Sequence, residues 1–193
     1  MIRTTYILIA LVLCTLSFLT YTATSIKDVV VPEEANLLRV QAGTINRYGW
    51  YKAQSASRRF LVEFPAHFQE WEAVVDSQTS PTMSLGTTSS NGTKYLVTEF
   101  QKPTDLEFKN LTSFVRQFFE GQHRSSTRNI TYRGINGKEV LVNRLNTSTV
   151  YHFLFTDDYI YQLSVEYTKV NQSVAVKKAR VFFNTFRLIN KTK

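Results

Sequence analysis

The sequence predicts an α+β fold: an antiparallel sheet flanked by helices. Three observations carry this. Two Asn-Gly pairs, Asn91-Gly92 and Asn136-Gly137, sit between runs of strand-like alternation, and Asn-Gly supplies the positive φ angles of a tight hairpin. The elements run strands, helix, strands, helix, an order that excludes a doubly wound parallel sheet. The composition suits one buried core: of 193 residues 43% are hydrophobic and 13% aromatic, with 14 Phe and 10 Tyr.

The chain opens with an export pattern. Arg3 is followed by Tyr6 to Leu19, fourteen uncharged and mostly apolar residues, then by Thr20, Thr22, Ala23, Thr24 and Ser25. Charge, short apolar run and small-residue exit are the parts of a cleavable signal. Fourteen helical residues span about 21 Å, short of a hydrocarbon core of roughly 30 Å. Counting on to Ala23 brings the run near the spanning limit, so residues 1–23 are a signal peptide or an N-terminal anchor. Cys14 lies inside the apolar run behind Leu13, where lipoprotein processing needs a small residue, and it reads as a small hydrophobe. Loss of residues 1–23 removes the one Cys and Arg3, lowering the net charge from +8 to +7. A thiol-free product suits an oxidising compartment and excludes a disulfide scaffold.

Residues 24–47 read as a linker with a helix start at Pro32-Glu33-Glu34, and one domain is expected over 48–190. In Arg59–Phe64, Phe60, Val62 and Phe64 share one face and Arg59, Leu61 and Glu63 the other, a half-buried strand ended by Pro65. Glu70–Ser77 is a second strand. Thr82–Ser89 and Thr93–Gln101 flank Asn91-Gly92 and should pair. Thr104-Asp105-Leu106-Glu107 has capping-box spacing; Leu111, Phe114, Val115 and Phe118 then recur at helical spacing, and Gly121 ends the run. Asn136-Gly137 should join Asn129–Ile135 to Lys138–Leu145. Tyr151–Phe155 and Tyr159–Tyr167 follow, joined through Asp157-Asp158. Asn171 can cap a closing helix with a buried stripe of Ala175, Ala179, Phe182 and Phe183, and Phe186–Ile189 adds a short strand.

The wording of Arg58 to Ile189 resembles the PsbP-like fold, that of the PsbP subunit on the lumenal side of photosystem II and of many small exported bacterial proteins. Arg59-Phe60-Leu61-Val62-Glu63-Phe64-Pro65 is similar to its "F-x-V-x-F-P" first strand, and Tyr95–Phe100 to its aromatic middle strand. Ile130–Val140, with Gly134 and Gly137, resembles a "G-x-x-G-x-E" hairpin. Tyr159–Val165 is similar to "x-x-Y-x-L-x-V", and Phe182–Leu188 to "F-x-x-S-F-x-L", with Thr185 for Ser. The resemblance implies an α/β/α sandwich and an accessory role without catalysis; it transfers no binding residue.

No catalytic, cofactor or metal constellation stands out. His67, His123 and His152 lack metal-ligand spacing on a single element, the glycines form no phosphate loop, and Asp157-Asp158 suits a turn. The charge is more informative. Lys177, Lys178 and Arg180 lie on the closing helix, with Arg187, Lys191 and Lys193 after it. They form the candidate face for an anionic partner, expected to be an envelope protein or an anionic membrane surface and not nucleic acid, which an exported chain rarely meets. The expected role is therefore an exported, non-catalytic binding domain, periplasmic or envelope-associated. Two alternatives stay open. One is an envelope hydrolase built around a histidine. The other is a secreted eukaryotic glycoprotein, because Asn91, Asn110, Asn129, Asn146, Asn171 and Asn190 all open Asn-x-Ser/Thr sequons.

Overall fold

The computed structural model describes residues 35–41, 44–73, 82–102, 112, 115, 119 and 124–189. The export segment, the helix start at Pro32, most of the helix expected from Thr104, the sequons at Asn110 and Asn190, and His123 lie outside them.

The strands are β1 (Asn36–Gln41), β2 (Tyr51–Gln54), β3 (Phe60–Phe64), β4 (Phe68–Ala73), β5 (Thr82–Thr88), β6 (Lys94–Gln101), β7 (Arg124–Tyr132), β8 (Ile135–Asn143), β9 (Thr147–Phe155), β10 (Tyr159–Thr168) and β11 (Arg187–Leu188). A 3-10 turn (Lys169–Asn171) and helix α1 (Gln172–Thr185) stand between the last two. Eight strands form one antiparallel sheet in the order β1-β4-β5-β6-β10-β9-β8-β7. Two meanders, β4-β5-β6 and β7-β8-β9-β10, join edge to edge where β6 pairs β10. A small sheet, β11-β3-β2, is separate.

Strand alternation divides the core between the two faces of the large sheet. Leu85, Tyr95, Val97, Leu154, Tyr161, Leu163 and Val165 pack with Phe60, Val62 and Phe64 of the small sheet and with Ala175, Ala179, Phe182 and Phe183 of α1. The helix stripe expected from periodicity is thus the buried one. Phe100, Val140, Val142, Tyr151, Phe153 and Ile160 pack on the other face with Val115 and Phe119 from the connection between β6 and β7. Tyr95 sits at the centre of the first core; burial pushes its hydroxyl up to about 12, and the oxygen has no hydrogen-bond partner.

Five expectations change. The described residues are mostly β with one full helix, at Gln172–Thr185, and not a clear helix-flanked sandwich; of the helix expected from Thr104, Thr112 and Val115 are described and are helical. β3 belongs to a second sheet that lies beside α1, where Thr185 Oγ accepts from Glu63 N at 3.0 Å. Asn36–Gln41, expected as linker, pairs with β4 through Asn36↔Glu72 and Gln41↔Phe68, so the sheet starts before Tyr48. The second hairpin does not turn at Asn136-Gly137. Arg133 (φ 50°) and Gly134 (φ 81°) make the turn, and Gly137 lies within β8, where a Cβ would meet the Phe153 carbonyl and the Leu154 side chain. Glycine is there for close strand approach. Finally, Asn171 precedes α1 without capping it by its side chain; its Nδ2 donates to the Asn91 carbonyl at 3.2 Å.

Candidate functional site

Helix α1 buries one stripe and leaves its outer face open. Lys177 and Arg180, three residues apart, are neighbours on a helix surface, and both are exposed. With Lys169, Gln172, Ser173 and Val176 they line a shallow groove of about 600 Å³. Lys178 is half-buried on the flank and does not line it. The structure therefore brings two of the three expected cations together and adds Lys169, which helix periodicity could not include because it lies on the preceding turn. Among the described residues none of these four cations makes an ion pair. No acidic residue follows Glu166 in the chain. Among the described residues the charge of this face is therefore not neutralised.

The groove runs onto one end of the large sheet. There the β5–β6 turn, the β8–β9 turn and the 3-10 turn converge. Lys169 N donates to the Asn146 carbonyl at 3.0 Å, and Arg144 N to the Thr147 carbonyl at 2.8 Å, closing the β8–β9 turn. At this tip Leu145 is 87% and Val170 95% exposed, and Val174, one turn along α1, is 50% exposed. Glu166 lies at the same end and is engaged by Lys94 and Arg144, each at 3.3 Å.

The opposite end holds a feature that the charge count missed. Glu99, on β6, is 2% exposed and carries a two-pronged bond from Arg59: Nε donates to Oε2 at 3.0 Å and Nη2 to Oε1 at 2.6 Å. Ser57 Oγ donates to Oε2 at 3.4 Å, and the Tyr161 hydroxyl also bonds the carboxylate. The Arg59 guanidinium stacks over the Tyr159 ring at 4.3 Å. Its hydrogen bond to Glu99 holds its pKa above the usual value, against the opposing effect of burial. Burial and the Glu99 charge likewise raise the Tyr161 phenol. Beside this pair Leu38, Ser57, Arg59, Glu72, Met83 and Tyr159 line a cleft of about 380 Å³. The signal was present in the sequence. Glu99 occupies the same strand face as Tyr95 and Val97, where a charge needs a partner.

The described histidines are kept apart. His67 shares a hydrogen bond of 3.1 Å with the Tyr51 hydroxyl. His152 Nε2 lies 2.9 Å from Glu139 Oε2, and its ring stacks on Phe183 at 3.8 Å. Burial pushes the His152 imidazole down, partly offset by Glu139. Burial also pushes the Glu139 carboxyl up, but hydrogen bonds from Arg128 and His152 outweigh it and leave the group below the usual range. Among the described residues no three His, Cys, Asp or Glu side chains are grouped to hold a metal, and no helix is long and apolar enough to cross a membrane. Asp157 and Asp158 are exposed in the β9–β10 turn. Of the sequons, Asn129 and Asn146 are exposed, whereas the Asn91 side chain accepts from Ser89 Oγ at 2.5 Å and that of Asn171 is engaged as described above.

The architecture has a counterpart among solved structures. The solution structure of cyanobacterial PsbP from Synechocystis sp. PCC 6803 aligns with a TM-score of 0.55, covering 76% of this chain and 98% of that one at 9% identity. The fold is PsbP-like. A Pseudomonas aeruginosa protein of unknown function aligns more loosely, with a TM-score of 0.45 and 8% identity over 75% of this chain and 99% of that one. No family model and no curated protein matches the sequence. The PsbP-like likeness therefore accounts for the fold, and function has to be argued from the groove, the tip and the cleft.

Proposed function

We propose that this chain is an exported, non-catalytic PsbP-like domain that docks on an anionic surface of the cell envelope through the outer face of α1. The observation that carries this is the groove: Lys169, Lys177 and Arg180 stand together, without an ion pair among the described residues, and residues 167–193 carry no Asp or Glu. By contrast, Arg59, Lys94, Arg128 and Arg144 are each held by a Glu partner. Cations left free on one face attract an acidic partner and steer its approach. The opening Arg3, apolar run and small-residue exit support export.

The test is a charge reversal, K177E/K178E/R180E, followed by association with isolated envelope membranes. Each Lys or Arg near an anionic surface contributes about 1 kcal/mol. The variant should bind at least about a hundredfold more weakly, and raised salt should weaken the unmodified protein in the same direction. Unchanged association of the variant at low salt would remove the proposal. Alanine at His67, His123 or His152 should leave the phenotype intact; its loss with the fold preserved would favour a hydrolase instead.

A further inference from the structure

We infer that the anionic surface is a lipid bilayer and that the domain meets it tip-first, with Leu145 and Val170 seated at the boundary between headgroups and acyl chains. The inference rests on the docking role just proposed and names its partner. Its warrant is a second set of observations, independent of the charge. Leu145 and Val170 are among the most exposed large apolar side chains described, at 87% and 95%. They come from different parts of the chain, yet the bond from Lys169 N to the Asn146 carbonyl ties their turns together at one end of the sheet. Single exposed apolar residues are ordinary, but two on joined turns beside a further exposed valine, Val174, form a patch.

The chemistry around the patch selects the partner. Lys169 adjoins Val170 in sequence, and Lys177 and Arg180 continue the groove along α1. The carboxylate at this end, Glu166, is already held by Lys94 and Arg144. Apolar tips at the end of a groove whose cations make no ion pair among the described residues match an anionic interface, where the side chains leave water and the cations meet phosphate. An acidic protein would satisfy the cations equally well but would need a pocket for each protruding side chain. A bilayer accepts protrusions of any outline. The rigidity of the turns adds to the fit, because the hydrogen bonds fix them before contact and little ordering remains to be done on binding.

The test uses vesicles of equal parts phosphatidylglycerol and phosphatidylcholine, with pure phosphatidylcholine as the reference. An environment-sensitive fluorophore is placed at Val170→Cys in a Cys14→Ser background, and at Asp158→Cys, at the far end of β10, as the control. We expect a blue shift at position 170 with the anionic vesicles alone, quenching by lipids labelled near the headgroup, and no change at position 158. The pair Leu145→Ser and Val170→Ser should weaken vesicle binding at least about fivefold. Both side chains are solvent-exposed, so the fold should persist, and an unchanged melting temperature checks it. Salt-sensitive vesicle binding with a silent probe at position 170, or full affinity of the serine pair, would overturn tip insertion and leave the charged docking face standing. No binding to anionic vesicles together with a cross-linked acidic protein would overturn the bilayer as partner. No association of the unmodified protein with any anionic surface would overturn both.

Discussion

The two ends of the large sheet handle charge in opposite ways. At the end where β10 begins, Glu99 is buried and accepts from Arg59, Ser57 and Tyr161. That cluster fastens the β2–β3 turn to the sheet, and its charges are spent on each other. At the end where β10 finishes, Glu166 is held by Lys94 and Arg144, but among the described residues the cations of α1 and the 3-10 turn make no ion pair, and apolar side chains are exposed. A buried ion pair contributes little net stability but is costly to break, whereas exposed unpaired charges contribute almost nothing to folding and remain available to a partner. Counting charges treats Arg59 and Arg180 alike; their surroundings give one a buried carboxylate and leave the other exposed, which under the proposed function suits binding.

Substitutions can break this contrast, and the largest effect is expected at the buried end. Arg59→Ala leaves the Glu99 carboxylate buried without its cation and should cost about 3–5 kcal/mol in chemical denaturation. Next comes Gly137→Ala. The added methyl would push β8 off the Phe153 carbonyl, at a cost of about 1–3 kcal/mol. Tyr161→Phe removes a bonded hydroxyl and should cost about 1 kcal/mol, while Tyr95→Phe removes a buried hydroxyl that lacks a partner and should be neutral or stabilising. The smallest change in stability belongs to the other end: K177E/K178E/R180E should stay within about 0.5 kcal/mol of the parent.

The β8–β9 pair offers a pH test. The folded chain favours neutral His152 because burial lowers its pKa. Below an unfolded value of about 6.5 the unfolded chain takes up the proton more readily, so stability should fall as pH drops through that region. Glu139, held below the usual carboxylate range, adds a second loss in more acid solution, with the same sign. His152→Gln should flatten the first part of the curve in thermal melts across pH 5 to 7 and keep the part of the second that the Arg128 bond to Glu139 sustains.

Much of the fold was legible because local pattern and tertiary packing agree. The α1 stripe of Ala175, Ala179, Phe182 and Phe183, the alternation of β3 and β10, and the Asn91-Gly92 turn all follow from period and turn chemistry. Where pattern and packing compete, the outcome was hidden. Asn136-Gly137 has the stronger turn signature, yet Arg133-Gly134 turns the chain. Shifting the hairpin there lets Gly137 supply the missing side chain that β9 needs, a requirement set by a strand not yet met in the sequence. β1 lacks a clean alternation of apolar and polar residues, and its pairing is set by the edge that β4 offers. The site divided in the same way. Lys177 and Arg180 were visible as helical charges, but Lys169 joins them through chain reversal. Leu145 joins Val170 through a hydrogen bond between turns more than twenty residues apart, and Glu99 looked like an ordinary strand position until Arg59 closed on it.

One measurement tests the division between the two ends most directly: the affinity for anionic vesicles of Arg59→Ala and of K177E/K178E/R180E, side by side, at a temperature where both are folded. The account predicts parental binding for Arg59→Ala despite its lowered stability, and a loss of about a hundredfold for the triple variant despite its parental stability. Equal loss in both variants, or parental binding by the triple variant, would contradict it.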